Sequence, residues 1–301
     1  MKRLMGWVFA AVLGSFPLMA ADKLAVTATT TMVGDLARSL GGERVEVTTL
    51  MGPGVDPHLY KATAGDGPKL RNAKLILYSG LHLEGKMQDV FDGLAKGSGR
   101  RVVAVSSGIP KERLLKPDGA GEHPDPHIWF DVELWSHCAR SAATALADAD
   151  PAGKAFYEQR LIDYQKRLAD LHAWAKKRAM ELPEARRVLI TSHDAFSYFG
   201  RAYGFQVIGL QGISTVSEAG GADMVKMVDF IKQRGVKAIF VESSVSHQAL
   251  ERISKDSGAR IGGELFSDAM GTPGQIENGY DLGTYEGMIK HNLNTVVEAL
   301  K

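Results

Sequence analysis

Residues 152–182 read AGKAFYEQRLIDYQKRLADLHAWAKKRAMEL, and this stretch decides the fold. It holds no glycine after Gly153, and no proline interrupts it before Pro183. Phe156, Leu161, Tyr164, Leu168, Leu171 and Ala175 recur at steps of three to five, with Glu158, Arg160, Asp163, Lys166, Arg167 and Asp170 between them. That pattern predicts one amphipathic helix of about 30 residues, ~45 Å at 1.5 Å per residue. A rod of that length exceeds one small domain. It is expected to run the length of the molecule and tie two lobes together.

On both sides of this helix, strand-like and helix-like segments alternate. Before it, strands are expected at 24–30, 45–51, 75–78 and 101–105, and helices at 32–40, 67–73, 84–94 and 131–147. Residues 110–126 show no period and read as loop. After it, strands are expected at 188–191, 207–210, 238–241 and 261–266, and helices at 195–203, 222–234, 247–257 and 285–300. Such alternation predicts parallel sheets flanked by helices. The expected fold class is therefore α/β, with two lobes, each a parallel sheet flanked by helices, joined by one long helix. The halves repeat in architecture but not obviously in sequence. The expected division is 22–150 for an N-terminal α/β lobe, 151–183 for the interlobe helix and 184–301 for a C-terminal α/β lobe.

Residues 1–21 stand apart. Met1-Lys2-Arg3 is a short positive start, 4–19 is almost wholly apolar, and Ala20-Ala21 supplies small residues before Asp22-Lys23. This reads as a secretory signal peptide cleaved after Ala20 or Ala21, because spanning a bilayer takes ~20 apolar residues. The one cysteine, Cys138, is far from that point and cannot form an internal disulfide. Its helical spacing with Leu134, Trp135 and Ala142 reads as a buried face. A periplasmic protein that is not lipid-anchored is expected. The formal net charge of the 301 residues is +1, with 24% charged and 45% hydrophobic. No basic surplus exists to neutralise phosphates, so no nucleic-acid partner is expected.

In open α/β sheets, ligands bind beyond the carboxyl ends of strands. Four metal-ligating side chains fall at such places or in rigid loops. His58 lies in Gly52-Pro53-Gly54-Val55-Asp56-Pro57-His58-Leu59-Tyr60, and His127 in Asp125-Pro126-His127-Ile128-Trp129. Both share the pattern Asp-Pro-His-aliphatic-aromatic, in which proline limits backbone freedom ahead of the imidazole. His193 follows the strand at 188–191, and Asp268 follows the one at 261–266. Taken singly, a loop histidine is more often a surface or hydrogen-bonding residue, and a loop aspartate a turn or cap former. Three imidazoles and one carboxylate together would satisfy a divalent transition ion. Spacing alone leaves both readings open.

Longer segments carry a family resemblance. The stretches 51–60, 126–131 (Pro-His-Ile-Trp-Phe-Asp), 193–196 (His-Asp-Ala-Phe) and 262–271 (Gly-Gly-Glu-Leu-Phe-Ser-Asp-Ala-Met-Gly) look like the ligand segments of the metal-specific solute-binding proteins of ABC importers. The likeness is closest to the TroA type and covers essentially the whole mature chain. It implies that His58, His127, His193 and Asp268 hold Zn2+ or Mn2+ as transported ligand in an interlobe cleft. It also implies delivery to a membrane ABC permease by a protein expected to be a monomer and not an enzyme. Two departures bear on the metal. Residues 117–126 hold only His123, where zinc-dedicated relatives often carry a His- and acid-rich loop. The third ligand is His193, where manganese-dedicated relatives often have glutamate.

His82 and His123 are lesser candidates for a supporting role. His137, His172, His247 and His291 fall on predicted helices and read as surface or packing residues. Asp56, Asp125 and Asp194 flank ligand histidines and are expected either to orient imidazoles or to cap turns. Two other functions compete. A zinc-dependent hydrolase would need an open coordination position, and no His-Glu-x-x-His helix or Gly-x-Ser-x-Gly elbow is present. A surface adhesin would need an exposed apolar tract or repeat, and none is evident.

Overall fold

The structure, a computed structural model, describes residues 22–97, 99–116 and 123–301. The expected signal peptide lies outside the described residues, as does part of the loop expected at 110–126. Among the described residues no helix is long and apolar enough to cross a membrane.

The first half is built from β1 (Leu24–Ala28), α1 (Thr31–Gly41), β2 (Val45–Thr49), α2 (Asp66–Asn72), β3 (Leu75–Tyr78), α3 (Gln88–Gly97), β4 (Arg101–Ala104) and α4 (Val132–Ala149). Its four strands form one parallel sheet in the order β2-β1-β3-β4. β1 is buried nearly throughout, as a central parallel strand covered on both faces must be. Helix α4 starts where the Asp131 side chain accepts the backbone N–H groups of Glu133 and Leu134.

The long helix is α5, Lys154–Ala179, preceded by a 3-10 turn at Pro151–Gly153. It is shorter than the expected 152–182, because Pro151 tightens its entry and Pro183 forbids continuation. Its buried residues, Tyr157, Tyr164, Leu168, Leu171, Ala175 and Ala179, form one stripe. Arg160 donates to the carbonyl of Ser39 in α1, and Gln165 donates to Ser136 in α4. The tyrosine hydroxyl of Tyr164 accepts from the Trp135 indole at 3.1 Å.

The second half comprises β5 (Val188–His193), α6 (Ser197–Tyr203), β6 (Gln206–Gln211), α7 (Gly221–Arg234), β7 (Ala238–Glu242), α8 (Gln248–Ser257), β8 (Arg260–Leu265), a small antiparallel hairpin β9 (Ile276–Glu277) and β10 (Tyr280–Asp281), and α9 (Tyr285–Leu300). β5 pairs with β6 and β7 with β8, both parallel, and β5 lies beside β7. The spatial order β6-β5-β7-β8 repeats the β2-β1-β3-β4 order of the first half. Arg178 of α5 donates to Asn294 of α9, so the long helix contacts both halves. One buried cluster runs through Val26, Leu75, Trp135, Leu168, Phe240 and Val296. Cys138 sits inside it as a free thiol whose pKa burial pushes up, in keeping with a packing residue.

Candidate metal centre

The carboxyl ends of the parallel strands supply the site. His58 lies nine residues beyond β2, and His127 stands in the connection between β4 and α4. His193 is the last residue of β5, and Asp268 follows β8. All four side chains meet and are buried, with potential ligand atoms within 4.8 Å of one another. The Nε2 atoms of His58 and His127 are 3.3 Å apart. Asp268 Oδ1 lies 3.4 Å from His127 Nε2. Its Oδ2 lies 3.3 Å from His193 Nε2 and 3.7 Å from His58 Nε2. A tetrahedral ion with bonds of about 2.0–2.1 Å has ligand–ligand edges of about 3.3–3.4 Å. Three of these four distances match that spacing, and the fourth, between His58 and Asp268, is a little longer.

Two ring orientations are fixed from behind. His127 Nδ1 is 2.7 Å from Asp125 Oδ1, which also accepts the His127 backbone N–H at 2.9 Å. His193 Nδ1 is 2.6 Å from Glu242 Oε2, close enough for an ion pair though not aligned as a hydrogen bond. Glu242 Oε1 accepts the His193 backbone N–H at 2.9 Å. A carboxylate behind an imidazole turns the other nitrogen toward a cation and makes it more basic. The remaining flanking carboxylates act differently. Asp56 Oδ1 accepts the His58 backbone N–H, and Asp194 accepts the Ser197 hydroxyl at the start of α6.

The electrostatics show what the cluster lacks. Both Asp268 carboxylate oxygens are buried without a hydrogen-bond donor, and so is His193 Nε2. An ionised carboxylate taken from water without a partner costs several kcal/mol. Burial would raise the Asp268 pKa, but the facing imidazoles, His193 foremost, hold it well below the carboxylate range. Burial would depress His193, yet the carboxylates of Glu242 and Asp268 overcome it and lift its pKa well above the histidine norm. His58 faces fewer anions, and burial pushes it down to about 3. A metal cation here would satisfy the Asp268 carboxylate and His193 Nε2 together.

Glu242 is absent from the sequence reading. Its signal is an acidic residue closing the apolar run of β7, a place where a charge needs a buried partner. His82 and His123 are exposed and stack on each other, ring centroids 4.2 Å apart, outside the four-residue cluster. His82 and its neighbour Leu81 adopt positive φ, 67° and 54°. His247 and His291 each contact the Glu264 region, His247 through the carboxylate and His291 through the carbonyl.

Two α/β halves with matching strand order, a long helix packed on both and a sheltered polar cluster at the strand ends are the layout of a two-lobed solute-binding protein. The chain belongs to the ZnuA family, described as zinc-uptake complex component A, periplasmic, whose family model matches residues 26–299. It is 48% identical over 297 residues to the zinc-binding protein TroA of Treponema pallidum (strain Nichols), covering 97% of this chain and 94% of that one. It is 46% identical over 285 residues to the manganese-binding lipoprotein MntA of Bacillus subtilis (strain 168), covering 93% and 90%. The solved periplasmic zinc-binding protein TroA from Treponema pallidum superposes with a TM-score of 0.87 at 48% identity, over 93% of this chain and 99% of that chain.

Proposed function

We propose that this protein is the solute-binding component of an ABC importer that captures one divalent transition-metal ion, Zn2+ or Mn2+, outside the cytoplasm. His58, His127, His193 and Asp268 are its ligands, and a membrane permease receives the ion. The observation that carries the reading is the orphaned Asp268 carboxylate, buried with both oxygens facing imidazole nitrogens. Because both oxygens face inward, the carboxylate can bind through one or both, which suits four- or five-coordinate ions. Nitrogen-rich sites hold zinc more tightly than manganese, so zinc is the tighter ligand in vitro.

Two α/β lobes, 22–150 and 184–301, joined by residues 151–183, support this reading, with 1–21 as a cleavable secretion signal. The protein works as a monomer. It works in the periplasm, in line with the family's description as periplasmic. Relatives such as MntA are named lipoproteins, which counts against the expectation of a protein without a lipid anchor. It is not an enzyme, because a ligand shell closed by four side chains leaves no position for an activated water. The test is equilibrium dialysis of the purified protein. One zinc per chain is expected for the wild type, with none retained at comparable affinity by His58→Ala or Asp268→Ala. Unchanged stoichiometry and affinity in both variants would remove the assignment.

A further inference from the structure

One hydrogen-bonded relay ties the loop that carries His58 to the other half of the molecule. Asp56 Oδ1 accepts the His58 backbone N–H at 2.8 Å. Asp56 Oδ2 accepts the Thr215 hydroxyl at 2.6 Å, across 159 positions of sequence. Thr215 stands in the connection between β6 and α7. Alone among residues 212–220 it is buried, while Gly212, Ser214, Val216, Ser217 and Glu218 around it are exposed. Gly54, in the His58 loop at φ +72°, passes the carbonyl of Ser243, to which a Cβ would stand 3.5 Å away. The His58 loop thus meets two loops of the second half at the solvent side of the site.

Two other contacts between the halves, beside the site, lie deeper. The Trp129 indole donates to the Ser267 carbonyl, and the Met270 N–H donates to the Thr31 hydroxyl, both among buried residues. Breaking them opens the core. Breaking the Thr215 contact opens one exposed loop, the kind of segment that unfolds locally at small cost. His58 is also the least enclosed of the four clustered side chains, 6% exposed against 0–1% for His127, His193 and Asp268. The way out for an ion therefore begins at His58.

We propose that Thr215 is a positioning residue that acts as a latch. Through Asp56 it holds the backbone of His58 in place and sets how fast the bound ion leaves. Capture and release both pass through an open loop, and release must open it against this hydrogen bond. The inference rests on the metal-binding reading above, and the experiment separates the two. The full mature chain, loaded with Zn2+, is mixed with excess EDTA in a stopped-flow instrument and the zinc dissociation rate is read. Thr215→Val keeps nearly the same shape and removes the hydroxyl; Thr215→Ser keeps the hydroxyl. A hydrogen bond to a carboxylate is worth a dissociation rate about ten- to a hundredfold faster in Thr215→Val. Thr215→Ser stays near wild type.

Hydrogen exchange at the His58 amide in the metal-free protein is measured in parallel, and faster exchange in Thr215→Val alone is expected. Wild-type dissociation from Thr215→Val overturns the latch, and so does equally fast release from Thr215→Ser. If the wild type fails to hold zinc, the metal reading falls instead. The His58 amide then decides the latch by itself, and unchanged exchange in Thr215→Val overturns it.

Discussion

Glu242→Gln is the substitution whose outcome follows most fully from the geometry. Glu242 is wholly buried, and each oxygen faces a nitrogen of His193, the backbone N–H at 2.9 Å and Nδ1 at 2.6 Å. Glutamine has the same shape but one acceptor, so one of those nitrogens would face an amide NH2. Loss of a carboxylate behind a ligand imidazole costs ten- to a hundredfold in metal affinity, about 1.4–2.7 kcal/mol. A second effect runs the other way. Burial works against a proton on His193, and Glu242 and Asp268 together hold it there. Without Glu242 that proton is held less firmly and competes less with the metal. Zinc affinity is measured by chelator competition at pH 6, 7 and 8. The wild type should weaken about tenfold per pH unit as pH falls, since one proton must leave for each ion bound. The variant should be ten- to a hundredfold weaker at pH 8, with the gap narrowing toward pH 6. Equal affinity at pH 8, or a gap that widens in acid, would refute the orienting role of Glu242.

Three further outcomes are expected. His58, with its pKa pushed down to about 3 by burial, is neutral in the folded protein over most of the acid range. The unfolded chain takes up that proton first, near pH 6.5, so the metal-free protein loses ~1.4 kcal/mol per pH unit down to about pH 3, roughly 4–5 kcal/mol in all. Urea titrations of His58→Gln should lack this loss even though the variant no longer holds zinc; a parallel acid profile would contradict the His58 assignment. In β6, a Cβ at Gly209 would come within 2.4 Å of the Asp194 nitrogen and 2.6 Å of the His193 carbonyl carbon. Gly209→Ala should therefore cost about 1–3 kcal/mol of stability and weaken zinc binding, although residue 209 touches no ligand atom. Zinc at a thousand times its dissociation constant should stabilise the wild type by about 4 kcal/mol in denaturant titrations, and Asp268→Asn by much less.

The long helix was legible in the sequence because its stripe is long and uninterrupted, and its two ends moved inward only where Pro151 and Pro183 act. His58, His127, His193 and Asp268 lie after strands or in proline-restricted loops, which left a metal site open, and the family resemblance implied them as one ligand set. Glu242 was hidden, since it reads as the end of an apolar strand and its partner lies 49 residues away. The helix expected from residue 84 begins instead as a 3-10 turn at Gly85–Met87 and continues from Gln88. Glu84 is drawn out of it, accepting from the Thr29 hydroxyl and the Ser79 and Gly80 backbone N–H groups. The β9–β10 hairpin has two residues in each strand, too few for any period to show. Asp194 was open to two roles, and the Ser197 hydroxyl claims it as a turn former. For Glu242 and Glu84 the missing information is a partner distant in sequence, which spacing alone does not encode.

The most direct measurement is anomalous diffraction from crystals of the protein grown with zinc, recorded on both sides of the zinc absorption edge. One strong peak is predicted, about 2.0–2.2 Å from the Nε2 atoms of His58, His127 and His193 and from an Asp268 carboxylate oxygen. A peak bound elsewhere, or a fully occupied ion that leaves Asp268 uncoordinated, would contradict the site.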